Sequence, residues 1–337
     1  MSIEGLGPHG ELATPADQLV ITPAQTAATS DARYHVAIVL HTTSSDWSRQ
    51  QVAGIVATLG ACSAVVTEVV DCGFDKDIQI AALTRLADEK LDAIISIPIG
   101  NAAVADAHRQ ISRAGTKLLL MDNAPTGLLP GADYVSVVSA DNFGLGRMCA
   151  ELLSPHLATN GAAGILSFGV DFFATNEREI AFRQWMETER PDLTVRSTSF
   201  KEIARAGDTV IDFIEAHPDI TGLFAVWDEP AIAVMAALKA VGQELPMTAV
   251  DLGNEVAIEL ARNGMIKGIG AQQPYAQGEV IARACILSLV GEQVPSWVVL
   301  PGIRVGPENV VESYQVVWHS VVPRELMLAQ SNKTDAK

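Results

Sequence analysis

The sequence predicts an α/β fold made of two doubly wound parallel sheets. Three observations carry that prediction. Short apolar runs alternate with amphipathic stretches of about 10–15 residues, the pattern of βαβ units. The alternation is run through twice, over 36–153 and again over 163–289. Crossovers between parallel strands keep one hand, which favours open sheets with helices on both faces. A chain of 337 residues with 48% apolar content is long and apolar enough for two such cores.

Each element follows from its local pattern. Residues 1–34 are rich in Gly, Pro, Thr and Ala without lasting periodicity, and read as an arm or linker with a turn at Thr22-Pro23-Ala24. Val36-Ala-Ile-Val-Leu40 suits a strand buried on both faces. Val52, Ile55, Val56 and Leu59 give 48–59 a helical face, and Gly60 reads as its stop. Strands follow over 64–70, 93–97 and 117–121, with helices over 75–89 and 103–114 between them. Residues 135–138 are extended, and a helix from Asn142 ends before Pro155. The second series places strands at 163–168, 194–200, 222–226, 248–252 and 266–269. Its helices cover 177–189, 208–217, 230–241, 255–263 and 275–289. Strand-like 297–300 and a tail near 310–318 close the chain.

Composition removes several functions. With 23 basic and 40 acidic residues the net charge is −17, a surface that repels phosphate backbones, so no nucleic-acid partner is expected. No apolar run approaches the roughly 18 residues that span a bilayer, so no membrane insertion is expected. Residues 1–32 hold no Lys or Arg and no apolar segment of leader type. The four cysteines form no CxxC and none stands at metal spacing from a His, so neither metal nor cofactor is expected. Cys149 and Cys285 fall in helical apolar patterns and read as buried thiols. An oxidising compartment would allow a disulfide between Cys62 and Cys72, but full extension of the strand between them puts them too far apart.

In open parallel sheets ligands sit beyond the carboxyl ends of the strands, which selects the loops to weigh. The first is His41-Thr-Thr-Ser-Ser-Asp-Trp47, where Trp47 offers a flat apolar face and Asp46 and Ser45 offer acceptors. The alternative is that Trp47 plugs the top of the next helix. Asn101 fits a ligand or an N-cap. Asp122 and Asn123 fit two neighbouring hydroxyls, or a turn before Pro125. Phe172 and Phe173 read as a second apolar wall, with Asn176 opening a helix and Arg178 placed for a ligand or a structural carboxylate. Trp227 ends a later strand as Trp47 follows the first, and Asp228 fits an N-cap. Asp251 and Gln272 end two more strands. Aromatic faces, carboxylates and amides with one nearby cation are what a neutral polyhydroxylated ligand needs. A phosphate or carboxylate ligand would call for more Arg and Lys.

These loops, in this order, resemble the type I periplasmic solute-binding proteins, in the ribose-binding-like branch that feeds ABC importers. The likeness runs from about Tyr34 to Val317. It rests on the opening strand and aromatic loop, on Ser139-Ala-Asp-Asn142, on Asn176-Glu-Arg178 with Phe182, on Phe224-Ala-Val-Trp-Asp228 and on Gln272-Gln-Pro274. Ala181 stands where the family motif has Gly. By position, the resemblance puts Trp47 on a sugar-stacking aromatic, Asp122 on a hydroxyl-binding Asp, and Gln272 on a ligand-binding Gln. Asn123 replaces an Arg of pentose binders, Asn176 falls on a basic ligand position, Trp227 replaces an Asn, and Asp251 lies within one residue of a hinge-side Asp. The loss of Arg and Asn turns the expected ligand away from ribose itself, toward a pentose, a hexose or a short sugar alcohol.

The resemblance implies two lobes joined by a three-strand hinge that close on the ligand. The expected lobes are 35–140 with 273–301, and 141–272 with 302–330, followed by a flexible tail over 331–337. The expected function is capture of a neutral sugar or polyol for an ABC transporter permease, by a monomer in the periplasm or at the outer cell surface, its N-terminus altered or processed. A cytoplasmic site is the alternative. A sensor presenting its ligand to a membrane receptor, or an enzyme acting on a small carbohydrate, are the alternative functions. A transcription regulator would need a helix-turn-helix, and the 34 residues ahead of the first strand carry one basic residue, Arg33. A dinucleotide enzyme would need a glycine-rich first loop; Gly144-Leu-Gly146 lies inside a helix pattern and lacks the third Gly.

Overall fold

The computed structural model describes residues 3–334. In chain order its elements are β1 (Thr14–Pro15), α1 (Pro23–Ala32), β2 (His35–Leu40), α2 (Asp46–Ala61), β3 (Val65–Asp71), α3 (Lys76–Ala87), β4 (Ala93–Ser96), α4 (Ala102–Arg113), β5 (Lys117–Met121), β6 (Ser136–Ala140) and α5 (Asn142–Leu153). There follow β7 (Ala162–Phe168), α6 (Phe173–Glu189), β8 (Thr194–Phe200), α7 (Ala206–Ala216), β9 (Ile220–Ala225), α8 (Asp228–Ala240), β10 (Met247–Val250), α9 (Asn254–Ala261) and β11 (Ile266–Ala271). The chain closes with α10 (Pro274–Leu289), β12 (Trp297–Leu300), β13 (Ile303–Val305), α11 (Val310–Trp318) and α12 (Arg324–Thr334).

The chain divides into two compact units. The first gathers 1–140, 172–174 and 274–300, and the second 141–171, 175–273 and 301–337. The first holds a seven-stranded sheet ordered β1-β12-β6-β5-β4-β2-β3, parallel throughout. Alternate residues of β2 serve its two faces: Val36, Ile38 and Leu40 pack with Ile55 and Leu59 of α2 and Ile281 and Cys285 of α10. Ala37 and Val39 pack with Leu83 and Leu86 of α3 and Ile111 of α4. Burial on both faces is why this strand reads as an unbroken apolar run.

The second unit holds a six-stranded sheet ordered β13-β11-β10-β9-β7-β8, parallel except for β13, which runs antiparallel to β11. A Cβ on Gly164 of β7 would press on Phe213 of α7, and one on Gly268 or Gly270 of β11 on α5 at Leu152 or at Leu145 and Cys149. Strand order matches unit by unit, since β2 lies between β3 and β4 as β7 lies between β8 and β9. In each sheet that central position is the point where strand order reverses.

Several local expectations shift. Residues 23–32 form a helix with a capping box at Thr22 and Gln25, and Thr14–Pro15 pair with β12, so much of the expected arm is regular structure. Gly60 lies within α2 rather than ending it, because nothing opposes its helical conformation before Cys62. The final tail is helical at α11 and again through residue 334, while 335–337 lie outside the described residues. All four cysteines are buried free thiols. Among the described residues no helix is long and apolar enough to cross a membrane, and no cluster of three potential metal ligands occurs.

Candidate functional site

In unit 1 the loops after β2, β4 and β5 carry the candidates. Ser45 is the N-cap of α2, its hydroxyl accepting the Ser48 N–H at 3.2 Å. Asp46 is exposed and paired with Arg49. Trp47 is half-buried against the α2/α10 core, with its indole nitrogen buried and unpartnered.

Asp122 follows β5 in the left-handed region, φ +59°. Its Oδ1 accepts from Ser139 Oγ at 2.9 Å and Gln277 Nε2 at 2.8 Å. Gln277 in turn accepts from Gln51 Nε2 at 3.0 Å, so a buried amide chain from α2 through α10 holds this carboxylate. Asn123 is fully buried. Its amide donates to the carbonyls of Pro98 and Gly100 and accepts the Phe173 N–H at 3.2 Å. Phe172 and Phe173 group with unit 1, not with the second series from which they were expected. Their rings bury against its two cores, Phe173 edge-on to Trp297 at 5.7 Å. Asn123 and Phe173 thereby stiffen the loop after β4.

The polar chain depends on how α2 and α10 meet. A Cβ on Gly54 would lie 2.2 Å from the Tyr275 carbonyl oxygen, and one on Gly278 would lie 2.2 Å from that of Gln51. The two helices touch backbone to backbone, which only glycine permits. Gln51 and Gln277 flank that crossing.

In unit 2 the same construction recurs. A Cβ on Gly146 of α5 would lie 2.1 Å from the Arg178 carbonyl oxygen of α6. Arg178 is buried; its Nε donates to Asn142 Oδ1 and its Nη1 to the Val226 carbonyl, each at 2.8 Å. Asn176 donates to Asp171 Oδ1 at 2.8 Å. Trp227 is half-buried at the N-cap of α8, its ring 5.2 Å from Phe168 and 5.1 Å from Phe200.

Asp251 follows β10 with φ +73°, and its Oδ1 accepts from Gln272 Nε2 at 2.8 Å. Gln272 is 2% exposed, and its Oε1 is buried with no partner. Asp228, at the start of α8, has its carboxyl raised well above the ordinary value. Withdrawal from water is the larger cause, and the Asp251 charge the next. Glu177 is also raised, by burial and by Asp141.

Both units thus set an aromatic near the strand-order reversal and a left-handed aspartate gripped by a glutamine, two strands on in unit 1 and one strand on in unit 2. Sequence reasoning named the aromatics and the aspartates. It missed Gln277, which with Ser139 holds Asp122, and Gln51, which donates to Gln277. Ser139 and Asn142 were read only as part of a crossover motif, not as the partners of Asp122 and Arg178. The one signal available was a pair of Gln-containing helices each bearing a glycine at the fourth position or beside the Gln.

The chain matches the model of the periplasmic binding protein domain over residues 36–293. The ribose import binding protein of Bacillus subtilis is 25% identical over 235 residues, which cover 69% of this chain and 74% of that protein. An ABC transporter solute-binding protein from Agrobacterium vitis, solved with α-D-tagatopyranose, shares its fold at a TM-score of 0.78 and 19% identity, over 86% of this chain and all of that one. A second from the same organism, solved with allitol, has a TM-score of 0.71 at 20% identity, over 84% and 98% of the two chains. With more than half its length matched after the doubled sheet and its strand-end loops, the chain belongs to the periplasmic binding protein domain family.

Proposed function

We propose that the chain is the solute-binding component of an ABC importer and that it takes a neutral sugar or short sugar alcohol. The observation that carries this reading is Gln272. Its amide nitrogen is committed to Asp251, leaving a buried carbonyl oxygen that accepts nothing. A buried acceptor without a partner costs about 1–3 kcal/mol, which a ligand O–H would relieve. Arg178 spends its guanidinium on Asn142 and Val226, which argues against an anionic ligand. Relatives solved with a ketohexose and with a sugar alcohol support the same class.

In this reading Trp47 and Trp227 stack on the C–H faces of the ligand, while Asp122, Asp251 and Gln272 read its hydroxyls. Asp46, Ser45, Asn123, Phe172, Phe173, Asn176 and Arg178 shape the loops that carry them. The ligand is released unchanged, the partner is a membrane permease, the chain acts as a monomer, and its place is the periplasm or the outer cell surface. The test is calorimetric titration of protein refolded free of ligand with ribose, tagatose, allitol, and further pentoses, hexoses and four- to six-carbon polyols. Micromolar or tighter binding of one or two related compounds, recovered intact, is the expected result. No heat from any of them, or turnover of the bound compound, would overturn the proposal.

A further inference from the structure

The loops after β2 and β3 hold two rings, His41 and Phe74, that the reading above leaves unused. His41 ends β2, and its imidazole lies edge-on to Trp47 at 6.0 Å and 76°, and to Phe74 at 4.9 Å and 82°. Its Nδ1 is buried and unpartnered, and so is Nε1 of Trp47. The obvious carboxylate does not serve it. Asp71 accepts instead from Thr43 Oγ1 at 2.7 Å and the Gly73 N–H at 2.9 Å. Burial lowers the imidazole to about 4 against the pull of Asp71, so it is neutral at ordinary pH.

The backbone is bent to make this arrangement. Gly73 and Phe74 are consecutive left-handed residues, φ +56° and +60°. That conformation is unfavourable for a bulky side chain and is held here by the Phe74 N–H donating to the His41 carbonyl at 2.7 Å. Strain of this kind persists where it positions something.

We propose that His41 is a specificity-determining residue, which together with the Trp47 indole N–H brackets a single ligand hydroxyl. This rests on the sugar or polyol reading and deepens it. The indole can only donate, so the group between the rings must accept. A neutral imidazole nitrogen either accepts or donates according to its tautomer. A hydroxyl meets both demands in either tautomer, because it accepts from the indole and donates to, or also accepts from, the imidazole. A carbonyl or carboxylate meets both only in the tautomer that protonates Nδ1, and leaves that nitrogen without a donor in the other. The pair therefore selects for a hydroxyl at one ring position and against the deoxy compound there.

The experiment compares wild type, His41→Phe and Trp47→Phe in titrations with ribose, tagatose and allitol and the monodeoxy analogues of whichever binds. Both substitutions keep an aromatic ring in place, and the thermal midpoint of each variant reports its fold. Wild type should prefer the parent over one deoxy analogue by roughly tenfold, the scale of one hydrogen bond. His41→Phe should lose about that factor for the parent while binding the deoxy analogue as wild type does. Trp47→Phe, which also alters the stacking face, should lose about tenfold more for the parent than for the deoxy analogue. Two variants probe one hydroxyl, so misfolding of one leaves the other decisive. Unchanged affinity in both overturns the inference, as does an equal loss for parent and all deoxy analogues, the mark of a packing role or of a bridging water. Failure of wild type to bind any probe is a different result: it removes the proposed function, and this inference with it.

Discussion

At the scale of single residues, the candidate site keeps features that weaken the fold. Asp122 and Asp251 sit in left-handed conformations, each at some cost for a non-glycine residue. Asp228 holds a carboxyl that burial and Asp251 push toward its protonated form. A folded value raised above the unfolded one favours folding at low pH and loses that advantage as pH rises through it. Asp228→Asn keeps an acceptor for the backbone N–H groups of Glu229 and Gly253 and removes the charge. Denaturation of the ligand-free variant should therefore show a gain of about 1 kcal/mol at pH 8 and little change at pH 4, with weaker ligand binding. An unchanged or lower stability at pH 8 would count against the assignment. The positions of Trp47, Asp122, Trp227, Asp251 and Gln272 near strand ends were legible because strand ends are legible. Their partners were not: Gln277 grips Asp122 across 155 residues of sequence, and a hydrogen bond of that span leaves no local pattern. Asn123 likewise reads as a ligand amide until Pro98, Gly100 and Phe173 consume it.

At the scale of elements, the repeated helix crossing carries the site. Gly278→Ala would drive a methyl into the Gln51 carbonyl and part α10 from α2. The expected cost is about 2–3 kcal/mol, read as a lower denaturation midpoint. Binding should weaken too, because Gln277 moves with α10 and Asp122 loses its donor. Gly60→Ala is the opposite case. Its Cβ would meet nothing within 4 Å in the same helix, so it should stabilise by about 0.5–1 kcal/mol and leave affinity alone. Equal behaviour of the two variants would refute the crossing as the reason for the glycine. The helical period gave nearly every helix its place, and misjudged Gly60 because a helix tolerates an exposed glycine near its end. The start of α6 was hidden for another reason: Phe173 and Ala174 belong to it, yet Phe172-Phe173 looks like loop until the rings find the cores of unit 1.

At the scale of the molecule, two expectations follow. The proposed stacking predicts that Trp47→Ala and Trp227→Ala each lose at least about tenfold in affinity. Full affinity in either would remove that tryptophan from the proposed site. Stability should fall on acidification between pH 6.5 and 4. His41 and His108 are each lowered to about 4 by burial, so over that window the unfolded chain binds protons the folded chain refuses. Asp228 and Glu177, both raised by burial, act in the opposite sense, and His156, lowered by burial, in the same one. A flat denaturation midpoint from pH 7 to 4 would contradict this. The doubled architecture was legible because the alternation of strand and helix is local and repeats. How the halves share the chain has a consequence for its birth. Strand β12 lies between β1 and β6, and α10 covers α2, yet both arrive only after residues 141–273 have been made. A ribosome adding about 5–20 residues per second leaves the nascent first half waiting on the order of ten seconds, its sheet edge and glycine-lined helix bare. Until then it exposes apolar surface and an unpaired strand edge, which favour aggregation, and a chain halted near residue 270 has completed neither half.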